Sequence, residues 1–249
     1  MGLRYLRYTQ SGHAFLKPGD DPSLVVDGLL LTQYDQDFCL ALDFDPLFIA
    51  GMMAAGFLVM SASFEEKGEG GENGPAATEQ YFLLPKLHLV RSLLFWEDLH
   101  ETKSAKRLFS RYELRYDTDF DYILERCAEV HGEDWLTPPL RESIRQIRKL
   151  PRCPVRPVSF GVYREGKLRA GEFGVATGGV YTSYSGYHEE NSAGTVQMLL
   201  AGHYLKDRGF AFWDLGMPLD YKEKLGAKNV SPERFVELFR EALSVQPKG

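Results

Sequence analysis

Between Val158 and Leu215 the chain carries three apolar segments separated by two turn signals, then a helical run and one more short apolar segment. The first break is Arg164-Glu165-Gly166-Lys167 and the second is Thr177-Gly178-Gly179. Glycine supplies the positive φ that tight hairpin turns need, so this pattern predicts a strand meander. Thr195–Arg208 then predicts a helix, and GFAFWDLG a strand closed by Asp214 and Gly216. A sheet of this kind needs helical cover on its apolar face. The chain therefore reads as α/β (α+β), with this sheet at its centre.

At 249 residues, 44% of them hydrophobic and 26% charged, the chain is long and apolar enough to bury a full core. A net charge of -6 argues against a nucleic-acid binder over the whole surface but leaves room for one basic face. Cys39, Cys127 and Cys153 are odd in number with no CxxC spacing, so neither a disulfide framework nor a zinc cluster is expected. The amino terminus MGLRYLRYTQ lacks the apolar core of a signal peptide. Leu47–Met60 is too short and too interrupted by glycine to span a bilayer. The expected location is cytoplasmic, with no membrane contact.

Along the chain, Asp27-Gly28 before Leu29-Leu30-Leu31 suggests a turn and a short strand. Asp43 or Asp45 caps a helix that opens with Pro46 and stops at Gly56, followed by a strand from Phe57 to Met60. Residues 65–77 are rich in Gly and Glu with almost nothing to bury, and predict a mobile loop. A helix from Phe120 buries Ile123, Leu124, Cys127 and Ala128. Thr137-Pro138 opens another, with Leu140, Ile144, Ile147 and Leu150 on one face. Its other positions hold Arg141, Arg145, Arg148 and Lys149, a pattern that suits RNA phosphates and equally a solvated helix face. Ser231-Pro232-Glu233 starts a last helix through Leu243. The domain reading is a small α+β unit at 1–84 and a larger one at 85–249.

Familiar chemical motifs are missing. There is no phosphate loop, no HExxH and no G-x-S-x-G elbow. His188, Glu189 and Glu190 are adjacent in extended chain and point to opposite faces, so no metal site is expected. Glu189 and Glu190 also precede the candidate helix, where they disfavour the pyrophosphate of a CoA donor. No cofactor is expected.

The ordered series LHLVRSL (Leu87–Leu93), DWLTPPLRESI (Asp134–Ile144), SFGVYREGKLRAGEFGVATGGVYTSYSG, NSAGTVQMLL and FWDLGMPLDYKEKLGAKNVSPERF resembles the leucyl/phenylalanyl-tRNA–protein transferases. The resemblance covers most of Leu84–Phe239. It implies an acetyltransferase-like (GNAT-like) central mixed sheet with helices, preceded by a small amino-terminal domain. It also implies transfer of leucine, phenylalanine or methionine from charged tRNA to the amino-terminal residue of an acceptor protein, marking that protein for degradation. The chain departs from the family pattern in three places. The family's Gly-Glu-Ser reads here as Ser183-Tyr184-Ser185, so a tyrosine stands where the family has an acid. Its Asp-Cys-Gln reads as Asp214-Leu215-Gly216, and its Gly-Ile-Phe-Pro-Trp as Gly56-Phe57-Leu58-Val59-Met60.

These positions give the expected site. Tyr184 and Asp214 are the catalytic candidates, and Tyr184 orients the amine or donates to an oxyanion, since a phenol is a poor base near neutral pH. Trp135 stacks on the donor's terminal base. Met60, Phe57, Ser185 and His188 are expected to line the substrate pocket, with Arg141, Arg145, Arg148 and Lys149 facing tRNA. Two other functions fit the same residues: transfer from another activated acyl donor, and an inactive homologue that binds peptide or RNA.

Overall fold

The structure, a computed structural model, describes residues 6–66, 78–132 and 134–248. Residues 67–77, most of the predicted mobile loop, lie outside the described residues, while Glu65 and Glu66 end a strand.

Two sheets share one apolar core. The first contains β1 (Arg7–Tyr8), β2 (Ala14–Leu16), β3 (Leu40–Ala41), β4 (Leu58–Glu66) and β5 (Thr78–Lys86), in the order β1-β2-β3-β5-β4. Helices α1 (Pro22–Leu31) and α2 (Pro46–Ala54) lie between its strands in sequence. Asp45 caps α2 by accepting the Phe48 N–H at 2.9 Å, and Gly56 turns the chain at φ 97°, as the sequence predicts.

The short strand expected at Leu29–Leu31 is instead the last turn of α1. Asp21 caps that helix through the Ser23 N–H, and Pro22 fits its first turn. Gly28 is not a turn residue. It sits mid-helix, where Leu6 packs so closely that an added Cβ would lie 3.0 Å from its Cγ.

The second sheet is mixed and central. Its strands are β6 (Arg91–Leu94), β7 (Glu113–Tyr116), β8 (Arg156–Arg164), β9 (Lys167–Thr177), β10 (Val180–His188), β11 (Phe212–Asp214) and β12 (Lys228–Val230). The order is β12-β6-β11-β10-β9-β8-β7, antiparallel throughout except for the β10–β11 pair. The predicted meander is β8-β9-β10. Its first turn has Glu165 at φ 53° and Gly166 at φ 74°, both positive as a tight hairpin of this hand requires.

A short α3 (Lys103–Lys106) precedes β7, and α4 (Phe120–His131) and α5 (Pro138–Lys149) follow it. The apolar stripe of α4 and the buried face of α5 join Phe173, Val175 and the first sheet in the larger cluster. On the opposite face α6 (Ala193–Arg208) packs Leu199, Ala201 and Leu205 against Val158, Phe160, Tyr181 and Trp213. The chain closes with α7 (Asp220–Leu225) and α8 (Pro232–Ala242), the latter capped by Ser231. Among the described residues no helix is long and apolar enough to cross a membrane.

Candidate functional site

Strands β10 and β11 run parallel only from Val180 to Thr182 and from Phe212 to Asp214. Beyond that point β11 has ended while β10 continues to His188, so the sheet opens at the carboxyl ends of its one parallel pair. A chamber of about 540 Å³ occupies the opening. Its walls come from the end of β10, from α6 and from the segment Leu215–Leu225.

A β-bulge shapes the wall. Ser183 pairs with Gly174 and Ser185 with Phe173, which leaves Tyr184 as the extra residue. A bulge re-aims the side chain it carries. The Tyr184 ring packs 5.7 Å from that of Phe173, lines the chamber, and uses its phenol oxygen to accept the Val59 N–H at 3.1 Å. Burial raises the phenol above its ordinary value, so Tyr184 stays protonated and acts only as a neutral hydrogen-bonding group.

Of the other sequence candidates, Ser185 and His188 line the chamber with Tyr184. Phe57 does not: it is 2% exposed and belongs to the core. Met60 and Trp135 are half-buried outside the chamber, and the Trp135 carbonyl accepts from Ser61 of β4.

Asp214 is likewise not a chamber residue. It is fully buried and holds the Arg91 guanidinium in a bidentate pair at 2.8 and 2.7 Å. Thr182 Oγ1 and the Gly216 N–H complete its shell at 2.9 and 3.0 Å. Burial alone raises a carboxyl, but Arg91 and these hydrogen bonds outweigh it and hold Asp214 below its ordinary value. Arg91 in turn lies 4.3 Å over the Phe235 ring, tying β6 and β11 to α8.

The basic face expected on α5 is largely neutralised within the chain. Arg145 pairs with Asp121 and Glu125, Arg148 with Asp117, and the buried Arg141 with Glu125. Acids from α4 and the loop before it complement the helix, which the spacing within α5 alone could not reveal. Lys149 is exposed.

Reading by sequence missed Glu172, Ser183, Gln197 and Lys222. Glu172 is 4% exposed on the chamber wall. It accepts from Ser183 Oγ at 2.6 Å and from Gln197 Nε2 at 3.1 Å, while Trp213 Nε1 donates to Ser183 Oγ at 2.7 Å. Burial raises its carboxyl, and the Ser183 and Gln197 donors, the nearby Tyr181 hydroxyl and the Lys222 charge offset part of that rise. Lys222, also buried, donates to the Leu215 and Met217 carbonyls. Burial lowers its ammonium to about 8. An acid within the apolar β9 was the one available signal for Glu172. Among the described residues no cluster of acids, histidines and cysteines could hold a metal.

Beside Arg91, His88 sits at φ 61°, buried, with Nδ1 3.5 Å from Asp37 and no hydrogen-bond partner for Nε2 among the described residues. Burial, and then the Arg91 charge, lower its imidazole to about 4. A histidine kept neutral in the fold supports stability fully above its unfolded value, and that support is lost as pH falls from about 6.5 through about 4. His88→Asn tolerates the positive φ. It is expected to flatten the unfolding free energy over this window by up to about 3 kcal/mol. Urea titrations of parent and variant at pH 4, 5, 6 and 7 check it: parallel curves would remove His88 from the acid limb.

A protein-family model described as leucyl/phenylalanyl-tRNA protein transferase matches residues 93–240. The leucyl/phenylalanyl-tRNA–protein transferase of Pseudomonas entomophila is 28% identical over 164 residues, 64% of this chain and 70% of that protein. The one from Maridesulfovibrio salexigens is 31% identical over 160 residues, 61% of this chain and 65% of that protein. The matched region thus spans roughly two thirds of these relatives. Among solved structures, FemX matches with a TM-score of 0.47 and 10% identity, over 91% of this chain and 81% of that one. L-PGS from Bacillus licheniformis matches at 0.41 and 10%, over 95% and 88%. At that level neither bears on function.

Proposed function

We propose a function that begins from family: the chain belongs to the leucyl/phenylalanyl-tRNA protein transferase family, whose model covers more than half of it. The reaction is transfer of a leucine- or phenylalanine-like aminoacyl group from its ester on tRNA to the amino-terminal amine of a protein or peptide, in the cytoplasm. In this reading residues 85–249 form an acetyltransferase-like domain behind an α+β domain at 1–84. The observation that carries it is the chamber where β10 and β11 part, with the bulged Tyr184 in its wall. Its apolar lining includes Met198, Leu199, Leu215 and Leu225, which suits an aliphatic or aromatic aminoacyl side chain.

The donor ester is already activated, so no cofactor is needed. The amine must lose a proton as it attacks, the ester carbonyl oxygen needs a donor while it carries charge, and the ribose oxygen must gain a proton as it leaves. Tyr184 spends its oxygen on the Val59 N–H and keeps its own proton to donate. That suits a ligand for the charged carbonyl oxygen and not a base. For the tRNA, Lys224 lines the chamber and Lys103 follows Thr102, which also lines it. Lys103 and Lys224 are exposed, and neither is in an ion pair with a described residue. They fit an RNA backbone better than the internally paired α5 arginines.

Transfer of radiolabelled amino acid from a charged-tRNA pool to peptides covering every amino-terminal residue tests this. Label is expected on some peptides. Tyr184→Phe is expected to lower the rate about 100-fold, with a stability cost of only about 1 kcal/mol. No label on any peptide, with folded protein and charged donors, overturns the assignment. It would favour the rival reading that the loss of the family's acid at Tyr184 supports, an inactive peptide- or RNA-binding homologue.

A further inference from the structure

Two carboxylates are buried among the described residues, and their surroundings differ. Asp214 has Arg91. Glu172 is in no ion pair with a described residue, and its hydrogen-bond partners, Ser183 and Gln197, are neutral. Those two donors fill two of about four acceptor positions on a carboxylate. A buried anion without a counter-ion costs several kcal/mol unless it is neutralised or meets a cation.

The chamber's own buried cation does not provide one. Lys222 is held by the Leu215 and Met217 carbonyls; its charge favours the ionised Glu172 from a distance, but it makes no direct ion pair with it. Here the acid is instead fixed in place from behind. Trp213 donates to the Ser183 hydroxyl, which leaves the Ser183 proton for Glu172, and Gln197, itself buried, holds the second oxygen. A rigidly held acid facing an open chamber is arranged to receive a cation from outside the chain.

We infer that Glu172 is the seat of the acceptor's primary amine, binding it as counter-ion and taking its proton as the amide bond forms. This rests on the aminoacyl-transfer reading of the chamber. The bound ammonium first gives one proton to the Glu172 carboxylate, which passes it to water; the neutral amine nitrogen then attacks the ester carbonyl carbon, the N–C bond forms, and a second proton passes from the nitrogen to the ionised carboxylate. The carbonyl carbon–ribose oxygen bond then breaks, and Glu172 returns that proton to the departing oxygen. Atoms and charge balance, with one proton released to water for each ammonium consumed. The raised affinity of Glu172 for a proton fits a group that must hold one transiently.

The test titrates unblocked peptides from the transfer panel and their amino-terminally acetylated twins into the parent, Glu172→Gln and Glu172→Asp, followed by calorimetry. The parent is expected to bind the free amine at least 10-fold more tightly than the acetylated peptide. Glu172→Gln should lose that preference, and Glu172→Asp, which keeps the charge, should retain it. Because Glu172→Gln removes an unpaired buried charge, its thermal midpoint should equal or exceed the parent's, which excludes misfolding as the cause. In the transfer assay the parent rate should rise with pH as the carboxyl ionises, and that limb should vanish in Glu172→Gln. No peptide binding, equal binding of the two peptides to the parent, or an amine preference that survives in Glu172→Gln overturns the inference. Amine-dependent binding without any transfer sinks the aminoacyl-transfer reading and, with it, the proton-accepting role of Glu172, and leaves only its seat for the amine. Transfer with an unchanged pH profile in Glu172→Gln sinks the assignment of Glu172 alone.

Discussion

Asp214→Ala is expected to cost about 3–5 kcal/mol of folding stability, because it leaves the Arg91 guanidinium buried without its counter-ion. Arg91 is 1% exposed, and its remaining partners are carbonyls at 3.3 and 3.4 Å. Thr182 and the Gly216 N–H lose their acceptor as well. Replacing both partners, as in Arg91→Met with Asp214→Leu, is expected to recover most of the loss, since two apolar side chains leave no charge behind. Urea unfolding of the two single variants and the double variant decides this. If Asp214→Ala instead kept the parent midpoint and abolished transfer, Asp214 would have to reach substrate after all. The pH sign follows from its lowered carboxyl. Its contribution is complete above the ordinary carboxylate value and is lost as pH falls through the folded one, so Asp214→Asn is expected to be less acid-sensitive than the parent relative to its own stability at pH 7.

Gly226→Ala is expected to be nearly as damaging, and for a backbone reason. Gly226 ends α7 at φ 108°, a conformation that residues with a Cβ rarely adopt. An added Cβ would lie 1.9 Å from the Asp98 carbonyl oxygen, and no rotamer relieves a clash with backbone. Strain and overpacking together come to about 3 kcal/mol. The effect reaches the chamber, because the His100 N–H donates to the Leu225 carbonyl at 2.8 Å and both residues line it. Pushing α7 from this segment displaces Tyr221, Lys222 and Leu225 together. Thermal denaturation reads the first effect and calorimetric peptide binding the second. A variant with the parent's midpoint would show that the 98–100 segment yields easily and carries little of the packing.

Much of the architecture could be read from the chain because it rests on local rules. The meander follows from two glycine-bearing turns between apolar segments. The helix at Pro46 follows from its Asp45 cap and first-turn proline, and those at Phe120 and Pro138 from a 3.6-residue stripe, since neither Asp119 nor Thr137 makes the side-chain cap the sequence suggests; family membership follows from an ordered series of short matches. Leu29–Leu31 was misread because a glycine inside a helix looks like a turn until Leu6 is found packed against it. Tyr184, Ser185 and His188 reached the chamber wall because one strand carries all three.

What no local rule supplies is the partner a charge finds across the fold. The Asp214–Arg91 pair joins residues 123 positions apart, and the acids facing Arg145 lie on another helix. Glu172, Ser183, Gln197 and Trp213 meet from two strands, a helix and a third strand. The sequence by itself determined the central meander, most of the helices and the family they belong to, because hydrogen-bonding pattern and apolar period are properties of neighbouring residues. Only the tertiary structure decided which carboxylate is spent on an internal arginine and which is left unpaired in a chamber. Desolvation and ion pairing depend on distances that the chain sets only after it has closed on itself.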